Sequence, residues 1–285
     1  MRHRLLLAAM AATLHWTGCQ RAVQRTSEVV SVRAAKLATD PADAAWAQIP
    51  EYVAKLHPQD LVEPRPQKAT TPEVLVRSMN NGTEMAFRLE WSDPVVNDLP
   101  GAGRFLDGCA IQIPRKLERD SPEPQMGQVG RSVEISFWRA DWQASVNGRP
   151  DNIQALYPNA TVDHYPFEAK SLEPGSVAQK EMATRYAPSQ AVGNRRVGPR
   201  EFPVEDLLAE GPGTLSPNRS GTSRGRGVRG KQGWAVVIQR RTPDGLTTSA
   251  RTQIAFAVWE GSAKEVGARK MITGWAPLAM REAAR

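Results

Sequence analysis

The chain has 285 residues, 40% of them hydrophobic and 24% charged, which suits one large globular domain or two ordinary ones. Its formal charge of +7 and pI of about 9.7 fit nucleic acid, an anionic membrane surface or an acidic protein partner. The arginines are dispersed, aromatic residues make up only 6%, and no nucleic-acid-reading module is present, so nucleic acid is set aside.

The chain opens with a short basic stretch, Met1–Arg4, and an apolar run, Leu5–Leu14. That run is too short to cross a bilayer and has the length of a signal-peptide core. It ends in Trp16-Thr17-Gly18-Cys19. The Gly-Cys pair resembles a bacterial lipoprotein cleavage site, with Cys19 as the lipidated residue; Trp16 departs from the usual aliphatic residue there, which leaves plain secretion open. Residues 1–19 therefore read as a leader and 20–45, alanine-rich and polar, as a tether. The domain proper is expected over 46–285, beginning with an irregular, proline-dense entry segment that runs from Ile49 to Lys68.

Strand signals take over from residue 72. Asn80-Asn81-Gly82 is a hairpin turn between two apolar runs. Residues 109–114 (CAIQIP) form a short strand, and in SVEISFWRADW the alternation places Val133, Ile135 and Phe137 on one face. Residues 143–210 read as a long excursion with one short helix near Val204–Ala209. GWAVVIQRR (233–241), the turn Pro243-Asp244-Gly245 and TQIAFAVWE complete the pattern. Twenty-two Gly and 22 Pro with almost no amphipathic helix predict an all-β chain. The expected architecture is an antiparallel β-sandwich with long loops and few short helices.

Most of the familiar chemistry is missing. Gly225-Arg-Gly227-Val-Arg-Gly230 fits GxGxxG, but a loop precedes it and a strand follows, so no helix N-terminus meets a pyrophosphate; it reads as a basic loop. Cys19 and Cys109 are the two cysteines, which excludes paired-cysteine metal sites and CxxCH haem attachment; Cys109 reads as a buried thiol. Of four histidines only His57 and His164 lie outside the leader, too few for a three-histidine zinc centre. There is no GxSxG elbow. Met126, between Pro124 and Gly127 in a loop, is either loop packing or a thioether aimed at a metal.

Phe87–Asp93 (FRLEWSD), Asp107–Pro114 (DGCAIQIP), Pro124–Gly127 (PQMG), Trp138–Trp142 (WRADW) and Glu210–Leu215 (EGPGTL) form the first part of a series. Gly233–Arg240 (GWAVVIQR), Ala255–Gly261 (AFAVWEG), Glu265–Lys270 (EVGARK) and Trp275 complete it. Over residues 46–280 and in the right order, this series resembles the haem b-binding gamma subunits of ethylbenzene dehydrogenase and of selenate, chlorate and dimethylsulfide oxidoreductases. Nitrite oxidoreductases have similar subunits. Glu260 stands where the family usually has Asp, and residues 143–205 are longer than expected.

The resemblance implies a β-sandwich that holds one non-covalent haem b between an axial Met and an axial Lys. By position these are Met126 and Lys270, the metal ligands; Lys264 precedes Glu265 and does not match. A lysine amine must lose its proton to ligate, and burial favours that loss. Trp259, Met271 and Trp275 are candidates for the apolar frame. Arg139, Arg240 and Arg269 are candidates for the haem propionates, since a guanidinium matches a carboxylate. The resemblance further implies a periplasmic cytochrome b with no active site of its own. Its partners would be a molybdopterin catalytic subunit and an iron–sulfur subunit, with a cytochrome c or membrane acceptor beyond. Without the resemblance, Lys270 is a solvated turn residue. The chain is then an exported carbohydrate- or ligand-binding β-sandwich lipoprotein without haem, its eight tryptophans available for stacking.

Overall fold

In chain order the strands are β1 (Arg25–Thr26), β2 (Val29–Arg33), β3 (Glu51–Lys55), β4 (His57–Pro58) and β5 (Glu73–Asn80). Then come β6 (Glu84–Ser92), β7 (Gly108–Pro114), β8 (Val133–Arg139), β9 (Val204–Ala209) and β10 (Ser216–Pro217). The series closes with β11 (Arg224–Arg229), β12 (Gly233–Arg241), β13 (Arg251–Trp259), β14 (Met271–Ile272) and β15 (Ala276–Arg281). The computed structural model describes residues 23–150, 153–159, 173–186 and 200–283. The leader reading, Cys19 and His164 lie outside these residues.

The hairpin expected at Asn80-Asn81-Gly82 joins β5 to β6. Asn81 Oδ1 accepts from the amides of Thr83 and Glu84 at 3.0 and 2.8 Å, and Gly82 sits at φ +96°, where a side chain would be strained. The strands run β10-β9-β8-β7-β13-β15-β2-β5-β6-β12-β11. β13 turns the corner: Arg251–Ile254 pair with β15, whereas Ala255–Trp259 pair with β7. One strand thus passes from the larger sheet to the smaller, as at the corners of packed sheets.

Alternation fills the space between the layers. Phe87, Leu89 and Trp91 of β6 and Trp234, Val236 and Ile238 of β12 meet Ile111 and Ile113 of β7 and Phe256 and Val258 of β13. Trp138 stands edge-on to Trp91 and Trp234, at centroid distances of 6.3 and 5.1 Å. Each such side chain contributes roughly 1.5–3 kcal/mol by leaving water, and together they hold the two sheets face to face.

The all-β sandwich forms as the sequence predicts, with α1 (Ala140–Val146), α2 (Ile153–Leu156) and α3 (Val177–Tyr186) as its short helices. Several local expectations are corrected. Residues 23–45 are not a tether: β2 lies inside the larger sheet, parallel to both β15 and β5, with Val29, Val30 and Ser31 buried. The entry segment is partly regular, since β3 pairs with β5. Val204–Ala209 is a strand, not a helix, because the edge of β8 pairs with it and overrides the helical leaning of Glu-Asp-Leu-Leu. The GxGxxG segment is edge strand β11. Its Gly227 is required by packing, since an added Cβ would sit 2.3 Å from the Trp138 ring.

Candidate functional site

The smaller sheet is apolar on both faces. Its inner face belongs to the core, while Ala110, Ile135 and Leu207, with Phe137, Ala257 and Trp259, form a separate cluster on the outer face. Val133, Ile135 and Phe137 do share a face, and it is this outer one. Ala110 and Ala257 are directly paired across β7 and β13, with Ala255 opposite Gln112. Such small side chains leave a shallow floor, and Ile135, Phe137, Leu207 and Trp259 wall it. Above it lies a cavity of about 500 Å³, within the usual range for ligand and cofactor sites. Loops around residues 59–62, 104–106, 124–126, 212–215 and 265–270 close over it.

Met126 and Lys270, 144 positions apart, both line this cavity. Met126 is held in an uncommon left-handed conformation, φ 69°, followed by Gly127 at φ 80°. The Met126 carbonyl accepts from Gly211 N at 2.8 Å, and Gly127 N donates to Glu123 O at 2.9 Å. A Cβ on Gly127 would lie 2.9 Å from Arg131 O and 3.1 Å from Ala209 O, so only glycine lets this turn sit against the end of β9. Gln112 Nε2 donates to Pro124 O at 2.8 Å, and Trp275 Nε1 to Pro122 O at 2.6 Å. The loop that carries Met126 is therefore pinned from below and from the side.

Lys270 is half-buried, its exposed part facing the cavity. Burial lowers its pKa from 10.5 to about 8, because the ammonium loses hydration. The face of Trp259 lies 5.1 Å from Nζ and favours the charged form in part. The lysine backbone is fixed by Gln59, whose amide donates to Lys270 O at 3.0 Å. Gln59 Nε2 donates to Ala268 O at 3.0 Å and to Val62 O at 2.7 Å. Trp259 Nε1 donates to Gly267 O at 3.1 Å, which ties the turn before Lys270 to the wall. Lys264 is an exposed residue in a left-handed turn.

The three arginines part company. Arg139 lines the cavity but its guanidinium grips Asp141 through two bonds, at 2.9 and 2.7 Å. Arg240 does not line it: it lies on the same side of β12 as Trp234, Val236 and Ile238, and pairs with Glu134 between the sheets. Arg269 sits in the turn with Val266 and donates to Lys264 O at 3.3 Å, away from the cavity. Trp275 supports the outer-face cluster from behind the Met126 loop.

Sequence reasoning missed Arg104, which lines the cavity over the Tyr157 ring at 5.2 Å. Among the described residues it has no carboxylate partner. It also missed Gln59 and the alanine floor. The floor leaves a trace, since AFAVW puts Ala at alternate positions and CAIQIP adds Ala110; Gln59 and Arg104 leave none. Cys109 is a free, fully buried thiol, held protonated by burial; His57 is exposed in β4.

The cavity thus presents one thioether and one readily deprotonated amine, with apolar walls, a flat floor and a cation at its mouth. Those groups suit a flat apolar ligand that carries a metal and an acidic edge.

The sequence profile described as Ethylbenzene dehydrogenase matches residues 43–271. A protein of Haloferax mediterranei described as a respiratory nitrate reductase heme subunit is 21% identical over 254 residues, covering 87% of this chain and 70% of its own length. The chlorate reductase subunit gamma of Ideonella dechloratans is 25% identical over 212 residues, 72% of this chain and 63% of that subunit. Among solved structures, a family 9 carbohydrate binding module from Caldicellulosiruptor kristjanssonii in complex with cellotriose overlays with a TM-score of 0.43 at 9% identity. That overlay covers 92% of this chain and 95% of the module.

Proposed function

The chain belongs to the ethylbenzene dehydrogenase family, and from that premise we propose that it is the haem-binding, electron-transferring subunit of a respiratory molybdoenzyme complex. The observation that carries the reading is the convergence of Met126 and Lys270 on one apolar cavity. The relatives named as a heme subunit and a gamma subunit support it.

A haem b bound there supplies a one-electron couple. Met126 offers a soft thioether, a ligand that raises the potential of haem iron. Lys270 gives up its proton to water and presents a lone pair, aided by the burial that disfavours its ammonium form. Phe137 and Trp259 exclude solvent, and the Ala110–Ala257 floor leaves space for a planar ring. Arg104, without a carboxylate partner among the described residues, is placed to meet a propionate from the mouth; of the three arginines read from the sequence, Arg139 is committed to Asp141, and Arg240 and Arg269 lie elsewhere. No substrate chemistry is assigned to this chain.

A molybdopterin catalytic subunit and an iron–sulfur subunit are the partners in this proposal, with a cytochrome c as outer redox partner. Leu61, Leu215 and Val266 are exposed and also line the cavity, an apolar edge suited to a covering protein surface. We place the protein in the periplasm, with the leader of residues 1–19 cut ahead of Cys19, the lipid acceptor. Because β1 already begins at Arg25, such a lipid would hold the sandwich within about 20 Å of the bilayer. Mass spectrometry of the mature N-terminus tests that assignment.

Reduced-minus-oxidised absorption of protein purified from haem-replete cells tests the central reading. A b-type band is expected, and Met126→Ala and Lys270→Ala each alter it. Protein without haem that binds sugar would overturn the proposal in favour of a ligand-binding sandwich.

A further inference from the structure

A second site lies outside the cavity, where three strand ends converge. Asp93 follows β6, Asp107 precedes β7 and Glu260 follows β13; Asp93 and Asp107 are fully buried and Glu260 is 6% exposed. One oxygen from each carboxylate lies within 4.8 Å of the others. Among the described residues the only cation against the group is Arg229, 3.6 Å from Asp93 Oδ1, so three acidic groups share one positive charge.

The hydrogen bonds around the cluster are one-sided. Asp107 holds three donors and keeps one lone pair, on Oδ1: Oδ1 accepts from Gly261 N at 3.0 Å, and Oδ2 from Asn97 N at 2.8 Å and Trp234 Nε1 at 3.0 Å. Asp93 Oδ1 accepts from Val95 N at 2.9 Å, and Glu260 Oε1 accepts from the Ser262 amide and hydroxyl at 3.0 and 2.6 Å. Asp93 Oδ2, by contrast, is enclosed and accepts nothing. A buried carboxylate oxygen without a donor is costly to desolvate, and here its carboxylate stands beside two more. Either protons or a cation must relieve the repulsion. Burial first, then Asp107 and Glu260, raise the Asp93 carboxyl to about 7, the direction that its enclosed, donor-free oxygen requires.

We propose that Asp93, Asp107 and Glu260 bind a hard divalent cation, calcium, which fastens the ends of β6, β7 and β13. All the donors are oxygens, the set that calcium prefers. Ligands on opposite sides of calcium lie at most about 5 Å apart, given bonds of roughly 2.3–2.6 Å, so the observed spread fits one coordination sphere. Water and main-chain carbonyls supply the remaining positions. The cation would brace both segments that flank the cavity: Arg104–Leu106 run directly into Asp107, and the loop to Lys270 leaves from Glu260. This site does not depend on the haem reading, and it can exist in a haem-free sandwich.

The test uses the full chain, stripped with chelator, at pH 8. Trp234 donates to Asp107, so terbium bound at the site should emit when tryptophan is excited, and calcium should displace it. We expect a dissociation constant of roughly 10⁻⁵–10⁻³ M and a melting temperature raised by about 5 °C at a hundredfold calcium excess. Asp93→Asn should weaken calcium at least tenfold and abolish the thermal shift, with Glu260→Gln as the second variant should the first not fold. Absence of saturable binding up to about 10 mM calcium, with melting unmoved, would overturn the site and leave shared protons in its place. Terbium emission unchanged in both variants would overturn it equally, placing the ion on other carboxylates.

Discussion

An ammonium has no lone pair, so Lys270 must be neutral before it can ligate iron, and haem uptake should carry that proton. With its pKa at about 8, about one Lys270 in ten is neutral at pH 7, against about one in 3,000 for an ordinary lysine. Apo-protein titrated with ferric haem and followed in the Soret band should gain about 50-fold in affinity from pH 6 to 8. From pH 8 to 10 it should gain only about twofold, whereas an unperturbed lysine would add about 80-fold more. Lys270→Ala should bind more weakly and lose this dependence. The levelling near pH 8 is the signature of burial. A slope continuing to pH 10 would show that the amine is solvated, and identical slopes in protein and variant would show that it does not bind iron.

Gly127→Ala places a Cβ at positive φ and against Arg131 O and Ala209 O; it should cost about 1–3 kcal/mol in chemical unfolding and disturb the haem spectrum by shifting Met126. Arg104→Gln should leave the unfolding midpoint within about 0.5 kcal/mol while speeding haem loss to an apo-globin acceptor. Arg240→Gln should do the reverse, destabilising by about 1–3 kcal/mol because Glu134 loses its partner between the sheets. In chelated buffer the raised pKa of Asp93 makes its proton favour the folded state. Stability from this group is full below about pH 4 and is lost as pH rises through about 7; urea midpoints should fall over that window, and Asp93→Asn should flatten the fall.

Strand by strand, alternation and turn chemistry were legible without coordinates. Asn80-Asn81-Gly82 made its hairpin, and GWAVVIQRR and TQIAFAVWE became β12 and β13. The misreadings share a cause. Residues 29–33 (VVSVR) carry no turn signal, and their place between β15 and β5 arises from pairings with residues about 45 and 250 positions away. Val204–Ala209 follows a helix-like composition until the free edge of β8 captures it. Local sequence states what a segment tolerates, and long-range hydrogen bonding decides among those states.

The same division runs through the site. Read alone, Met126 is loop packing or a thioether aimed at a metal and Lys270 a solvated turn residue; only the family resemblance, through PQMG and the run from Glu265 to Trp275, turned them into candidate ligands. The sequence by itself determined the all-β class and most of its strands, and its resemblance to a family named the two candidate ligands. Only the tertiary structure could show that Met126 and Lys270 line one cavity, with Arg104 at its mouth and Arg240 locked between the sheets. It alone gathered Asp93, Asp107 and Glu260 at one end of the sandwich. The reason is physical: side-chain parity and burial depend on which strands become neighbours, and that is set by the packing of the whole chain rather than by any stretch of it.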